Sequence, residues 1–69
     1  MYRALLGYRA MLGLNQSELA NKIGMTSSNY SKRESGSREF RASEMFKIME
    51  VINIKFPLMT MEEIFTTVK

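Results

Sequence analysis

The sequence contains no cysteine and no histidine, and it has one proline among 69 residues. Without cysteine the chain has neither a disulfide framework nor a thiolate metal site. Without histidine it is missing the usual general base and a common metal ligand. A phosphate-binding glycine-rich loop and a nucleophile–base pair are absent too. We therefore expect that the protein is not an enzyme and that it binds no metal, cofactor or small-molecule substrate.

Long apolar segments and targeting signals are also missing. No apolar run approaches membrane-spanning length, and the N-terminus does not have a signal-peptide pattern. A chain of 69 residues is enough for one domain with a modest core. We expect a single domain over residues 1–69, in a small cytoplasmic protein with no membrane partner.

Residues 15–36 predict two short helices joined by a glycine turn. Asn15 is a good helix N-cap, and Glu18 three positions later completes a capping-box pattern. Gly24 is suited to end the first helix with a positive φ, and Thr26 to cap the second. Small proteins use this arrangement to place a helix in the major groove of DNA.

Positive charge is concentrated in the same region. Residues 22–41 contain five basic and two acidic side chains, whereas the remainder contains five of each. The formal net charge of +3 therefore belongs to residues 22–41, which run from the end of the first helix of the motif through the second helix and the loop after it. A DNA phosphate backbone would lie there; ordinary solubilising charge is the alternative.

Apolar spacing predicts further helices around this motif. The expected fold class is all-α, a compact bundle of five short helices. Thr60 and Glu63 form a second capping-box pattern that opens a short helix running through Phe65. The other predicted helices span residues 2–12, 16–23, 27–34 and 42–53, with a loop over 35–41.

The segment from Tyr30 to Phe40 resembles the Tyr-x-Lys-x-Glu-x-Gly-x-Arg-Glu-Phe pattern of the Cro and lambda-repressor-like (XRE) helix-turn-helix family. The resemblance extends over roughly residues 2–66, and small regulators of temperate phages and Gram-positive bacteria are similar to this chain. It implies a lambda-repressor-like DNA-binding domain whose helices 2 and 3 form the motif. The other matching positions are Leu19, Ala20, Ile23, Gly24, Met25 and the ending 61–65.

Side-chain chemistry and the resemblance together suggest the DNA contacts. Gln16, at the start of helix 2, is expected to bind a phosphate. The first turn of helix 3 is expected to enter the major groove, where Asn29 can bind adenine bidentately. Lys32 is expected to reach a phosphate or a guanine. The full predicted set is Gln16, Ser27, Ser28, Asn29, Lys32, Arg38 and Arg41, the last two as backbone contacts from the loop.

The resemblance also implies an ion pair between Arg9 of helix 1 and Glu34 of helix 3. Such a pair would fix the angle at which helix 3 is presented; two unrelated surface charges are the alternative. Arg33 stands where much of the family has an apolar or aromatic residue. We therefore expect Tyr30 to be the main side chain holding helix 3 to the core.

The link into the last helix, residues 53–60, is longer than usual for the family and rich in apolar residues. Pro57 excludes a continuous helix there. These side chains form either a satellite core or a protein interface, and the seven methionines fit an adaptable surface or core filling. We expect self-association, because a two-fold dimer doubles a weak half-site contact. The predicted interface comprises Ile54, Phe56, Leu58, Met59, Ile64 and Phe65. Alternatively, Ile64 and Phe65 close the core together with Phe40.

Two functions follow from these observations. The first is a small sequence-specific transcription regulator, Cro-like, that binds double-stranded operator DNA as a homodimer in a phage lysis–lysogeny switch of a bacterial host. The second is an antirepressor or modulator that forms a hetero-complex with a partner repressor and blocks its DNA binding. An antitoxin-type regulator lies between them. The first is the leading hypothesis, and the apolar link and the first turn of helix 3, which has no arginine, are the features that keep the second as an alternative.

Overall fold

Five helices make up the fold within residues 1–66. The computed structural model describes residues 1–66, and no strand occurs within this range. The helices are α1 (Arg3–Met11), α2 (Gln16–Lys22), α3 (Ser27–Ser35), α4 (Ala42–Lys55) and α5 (Met61–Ile64). The predicted all-α fold class, a lambda-repressor-like helical bundle, is confirmed. None of the helices in residues 1–66 is long and apolar enough to cross a membrane.

Local sequence signals begin and end the helices of the motif as predicted. The Asn15 side chain accepts a hydrogen bond from the Glu18 N–H at 2.8 Å, and the Glu18 carboxylate accepts one from the Asn15 N–H at 2.9 Å. The Thr26 hydroxyl accepts from the Asn29 N–H at 3.2 Å. Gly24 has φ of +76°, a left-handed conformation that costs glycine little. The predicted capping box and glycine turn are therefore confirmed.

The predictions for the end of α4 and the start of α5 need correction. Helix α4 continues to Lys55, two residues beyond the predicted end at 53. It ends there because Phe56 precedes Pro57, and the residue before a proline is disfavoured in helical conformation. At α5, Thr60 accepts from the Glu63 N–H at 3.3 Å, but the Glu63 carboxylate accepts from the Thr60 hydroxyl instead of its backbone N–H. The second capping box is thus only half formed.

Apolar side chains from all five helices meet in one core. An aromatic cluster closes one side, where the Phe40 ring centroid lies 5.4 Å from Tyr2, 6.0 Å from Tyr30 and 5.3 Å from Phe65. Phe40 therefore ties the loop between α3 and α4 to the core. The fully or nearly buried apolar residues are Leu5, Leu19, Ala20, Ile23, Tyr30, Phe40, Ile48, Met49, Ile52 and Ile64.

The core also contains residues that the sequence analysis assigned to a surface. Ile64 is 0 % exposed, so its prediction as an interface residue is wrong: the single turn of α5 directs this side chain inward. Phe65 is half-buried in the aromatic cluster. Five of the seven methionines are in or against the core, so methionine fills gaps here more than it forms a contact surface. These are Met25, Met45, Met49, Met59 and Met61.

Candidate nucleic-acid interface

Helices α2 and α3 form a compact pair joined by the turn at Gly24. Leu19 and Ala20 of α2 and Tyr30 of α3 are all buried, at 0, 1 and 0 % exposure. The small side chain of Ala20 allows close approach of a neighbouring helix. Since the buried side of α3 starts only at Tyr30, the first turn of this helix is left outside the core.

The first turn of α3 presents polar side chains to solvent. Ser27, Ser28 and Asn29 are all exposed, as is Lys32 one turn later. Neither serine side chain makes a hydrogen bond within residues 1–66. The Asn29 backbone is occupied, because its N–H caps on Thr26, but its side-chain amide has no partner in the described part of the chain. The predicted reading residues thus share one accessible surface with unused donors and acceptors.

The loop that follows α3, residues 36–41, places two arginines beside this helix. We call it the arginine loop. The Arg38 N–H donates to the Lys32 carbonyl at 3.2 Å, which holds Arg38 close to the C-terminal end of α3. Arg41 is the N-cap residue of α4, and both arginine side chains are exposed. The predicted phosphate contacts therefore continue from α3 into this loop.

Gln16 occupies the expected first position of α2, but its side chain is engaged elsewhere. The side-chain amide nitrogen donates to Glu34 Oε1 at 2.9 Å, and the residue is half-buried. One of the two hydrogens of this amide is therefore used inside the protein. The phosphate contact of Gln16, through its amide and the nearby backbone N–H groups of α2, stays a prediction.

Glu34 is the centre of a buried polar cluster that joins three helices. Its side chain accepts from Arg9 Nε at 3.0 Å and from Arg9 Nη2 at 3.2 Å, in addition to Gln16. The Tyr30 hydroxyl donates to the same carboxylate. Arg9 Nη1 also donates to the Leu14 carbonyl at 3.0 Å. The structure therefore brings Arg9 and Glu34 together, and α1, α2 and α3 share one carboxylate that is 1 % exposed as a residue.

The protonation states in this cluster favour a charged pair. Burial alone would raise the pKa of Glu34, but hydrogen bonds from Arg9, Tyr30 and Gln16 and the charge of Arg9 outweigh it and lower the pKa. Burial and the neighbouring carboxylate raise the pKa of Tyr30 well above its ordinary value. The phenol therefore stays protonated and donates to Glu34. Four donor atoms satisfy one buried carboxylate, which fixes α3 against α1 and α2.

A comparison with known families agrees with this geometry. The helix-turn-helix family model matches residues 5–58 of the chain. The chain belongs to the helix-turn-helix family. The match is of the XRE type and indicates a DNA-binding regulator domain. No curated protein and no solved structure is significantly similar to the chain.

The helix-turn-helix domain also contains an ion pair that the sequence analysis missed. Arg33 Nε lies 2.9 Å from Glu44 Oε1, and the two side chains are 15 and 16 % exposed. The Arg33 Nε–H has no well-aligned acceptor, so the contact is an ion pair and not a directed hydrogen bond. Arg33 therefore helps Tyr30 to hold α3. No local signal predicts this pair, because its members are on different helices.

In the helix-turn-helix domain, the apolar link after α4 is ordered by one side chain. Asn53 Nδ2 donates to the Phe56 carbonyl and to the Met59 carbonyl, at 3.0 Å each. Phe56 and Met59 are half-buried and pack against the core, as a satellite core requires. Ile54 and Leu58 are 86 and 91 % exposed. The link is thus part core and part exposed apolar surface.

An open depression lies beside Leu58 in this link. It has a volume of about 430 Å³ and is lined by Lys55, Phe56, Pro57, Leu58, Met59 and Glu63. Four of these six residues are apolar, one is basic and one is acidic, which is a lining suited to an aliphatic side chain.

Within residues 1–66, no three acidic side chains are close enough together to hold a metal ion.

Proposed function

We propose that this protein is a small sequence-specific transcription regulator of the Cro type that inserts α3 into the major groove of operator DNA. The observation that carries the proposal is the polar first turn of α3, exposed while the rest of the helix is fixed by Glu34 and Tyr30. In this proposal Asn29 reads a base, the two serines read weakly, and Lys32, Arg38 and Arg41 bind the backbone.

The charge distribution supports a phosphate partner. Lys22, Lys32, Arg38 and Arg41 are exposed on or beside the motif, whereas Glu34 and Arg33 are neutralised within the fold. Glu39 is the single exposed acidic residue of the segment 22–41. We infer a cytoplasmic regulator of a bacterial host, of the kind found in phage lysis–lysogeny switches, without enzymatic activity or cofactor.

Binding-site selection tests this function. The protein is incubated with a pool of random double-stranded DNA, bound molecules are enriched, and the enriched motif is measured in gel shifts at several salt concentrations. We expect one motif to be enriched, with affinity that falls steeply as salt rises because phosphate contacts release counterions. Enrichment of no motif, together with no shift at low salt, would refute the proposal.

Two variants separate base reading from backbone binding. Asn29→Ala should reduce discrimination at one A·T pair by about 1–3 kcal/mol. Lys32→Ala should weaken binding to all sequences about equally and make the salt dependence shallower. Lys47→Ala, which removes an exposed lysine of α4 outside the predicted contact set, is the control for loss of one positive charge.

We further propose that a second copy of this chain occupies the depression beside Leu58. In a two-fold interface the same patch faces itself, so Leu58 of each copy can enter the depression of the other. Lys55 and Glu63, which also line the depression, carry opposite charges, and in this proposal each pairs with its oppositely charged counterpart on the other copy. Ile54 and Leu58 together expose only a small apolar patch. We therefore expect the dimer to form mainly on DNA, where two half-sites hold the copies close together.

Sedimentation with and without a two-half-site DNA tests the dimer. We expect two copies per DNA for the wild type, and loss of the second copy for Leu58→Ser. Phe46→Ser is the matched control, because Phe46 is an apolar residue of α4 that is 62 % exposed outside the depression. Equal occupancy for Leu58→Ser and Phe46→Ser would exclude this interface.

The exposed Ile54 and Leu58 also favour the second function, an antirepressor that binds a partner repressor and blocks its DNA binding. In that case the protein alone should shift no DNA, and it should co-purify with a repressor encoded beside it. Its addition should release that repressor from its operator. If the protein does not bind that repressor and instead enriches a DNA motif, the antirepressor function is excluded and DNA-binding regulation remains.

A further inference from the structure

The arginine loop is closed at its base by the ion pair between α3 and α4. Arg33 precedes the loop and Glu44 follows it, and their side chains meet at 2.9 Å with little exposure. Glu44 Oε1 also accepts from the Arg41 N–H at 2.8 Å. One carboxylate oxygen therefore holds both the last turn of α3 and the last residue of the loop.

Further contacts restrain the loop between these ends, among them a contact between the Ser35 and Ser37 hydroxyls at 3.2 Å. Phe40 is 8 % exposed and packs in the aromatic cluster, and the Arg38 N–H donates to the Lys32 carbonyl. Gly36 and Ser37 are exposed, and Gly36 has φ of +94°. The hydrogen bond to Lys32 therefore fixes Arg38 on α3. The ion pair fixes the distance between α3 and the start of α4, and with it the position of Arg41.

We propose that Arg33 and Glu44 are positioning residues for DNA binding: their ion pair orders the arginine loop so that Arg38 and Arg41 meet the phosphates without a further loss of conformational freedom. This inference rests on the proposed DNA-binding function. Ordering a loop before binding increases affinity, because the conformational entropy of the loop has already been lost in the free protein.

Two effects of removing Glu44 on DNA affinity can be told apart: the loss of a negative charge and the loss of order in the arginine loop. A carboxylate beside a phosphate-binding surface repels DNA, so charge alone predicts tighter binding when Glu44 is removed. The positioning role predicts the opposite sign. Glu39 is the matched comparison, because it is an exposed carboxylate of the same loop with no ion pair within residues 1–66.

The experiment compares Glu44→Ala with Glu39→Ala on the selected motif, at one salt concentration and well below both melting temperatures. We expect Glu39→Ala to bind up to about twofold more tightly than the wild type. We expect Glu44→Ala to bind about tenfold more weakly. This loss corresponds to the conformational entropy of about one residue that is free in the variant and has to be ordered on binding. Glu44→Ala binding as tightly as Glu39→Ala overturns the proposal. If Glu44→Ala is not folded at the assay temperature, Glu44→Gln replaces it with the same criterion, because glutamine retains an acceptor for the Arg41 N–H.

Amide hydrogen exchange on the free protein gives a second, DNA-independent readout. The Arg38 N–H is bonded to Lys32, not to Glu44, so its protection reports on the order of the loop. We expect it to exchange faster in Glu44→Ala and unchanged in Glu39→Ala. Unchanged exchange in both overturns the ordering role even if no DNA is bound. Absence of DNA binding by all three proteins refutes the proposed function instead, and the exchange result then decides the ordering role alone.

Discussion

Replacement of Arg9 by methionine should destabilise the domain strongly. Arg9→Met keeps much of the side-chain volume but removes two of the four donors to Glu34, which is 1 % exposed. Breaking a buried ion pair from one side costs about 3–5 kcal/mol. The Arg9 side chain is 14 % exposed, and Gln16 and Tyr30 still donate, so the lower limit applies. We expect a loss of about 3 kcal/mol, which corresponds to a fall in melting temperature of about 12–24 °C.

Thermal unfolding followed by circular dichroism near pH 7 measures this loss. Arg3→Met is the matched control, because Arg3 is an exposed arginine of the same helix, and it should change stability by no more than about 0.5 kcal/mol. The two variants melting within about 2 °C of each other would refute the reasoning that Glu34 depends on Arg9.

The loss of stability in Arg9→Met should depend on pH in a direction that tests the same reasoning. In the wild type the pKa of Glu34 is lowered, so its stabilisation is complete above the unfolded-state pKa and is lost as pH falls toward the folded-state pKa. In the variant, burial raises the Glu34 pKa with less opposition, so protonation relieves the defect. The difference between wild type and variant should therefore be smaller near pH 4 than near pH 7. A larger difference at the lower pH would contradict this account.

Four further variants test Glu34 and other parts of the fold. The unfolding free energy of the wild type should fall on acidification below about pH 5, and less steeply in Glu34→Gln; equal slopes in pH-dependent urea melts would count against Glu34 as the source. Asn53→Ala should cost about 1–3 kcal/mol in urea melts, because two buried or half-buried carbonyls lose their donor; a change within error would show that the link orders itself. Gly24→Ala should destabilise by about 1 kcal/mol, since φ is +76° there. By contrast, Gly7→Ala should stabilise by about 0.5–1 kcal/mol in the same melts, because its added methyl meets no atom within 4 Å; equal effects of the two would refute the argument from φ.

Contacts within one or two helical turns were predictable from the sequence. The Asn15–Glu18 capping box and the Gly24 turn depend on residues two to four positions apart, whose relative placement the helix geometry determines. The hydrogen bond from Tyr30 to Glu34 falls in this class as well. Tyr30 and Glu34 are four residues apart, which puts both side chains on one face of a helix. The sequence therefore indicated this contact, but Tyr30 was interpreted only as an apolar core residue.

Contacts between helices were not predictable in the same way. Gln16 meets Glu34 across 18 positions, and Arg33 meets Glu44 across the arginine loop. Both depend on how the helices cross, which neither charge nor spacing determines. Counting charges therefore treated Arg33 as a free cation beside DNA, whereas Glu44 neutralises it. The resemblance supplied Arg9–Glu34, because a family pattern carries tertiary information that a single sequence does not.

The way α3 is held has a consequence for how operator preference can change over time. Its stabilising side chains, Tyr30, Arg33 and Glu34, all follow Asn29, and the side chains of Ser27 and Ser28 make no hydrogen bond within residues 1–66. Substitutions at these two serines change the exposed chemistry of α3 while the core, the Glu34 cluster and the Arg33–Glu44 ion pair stay intact. Under the proposed function, DNA specificity is thus separated from folding free energy, and a library randomised at both positions should yield folded proteins with different operator preferences.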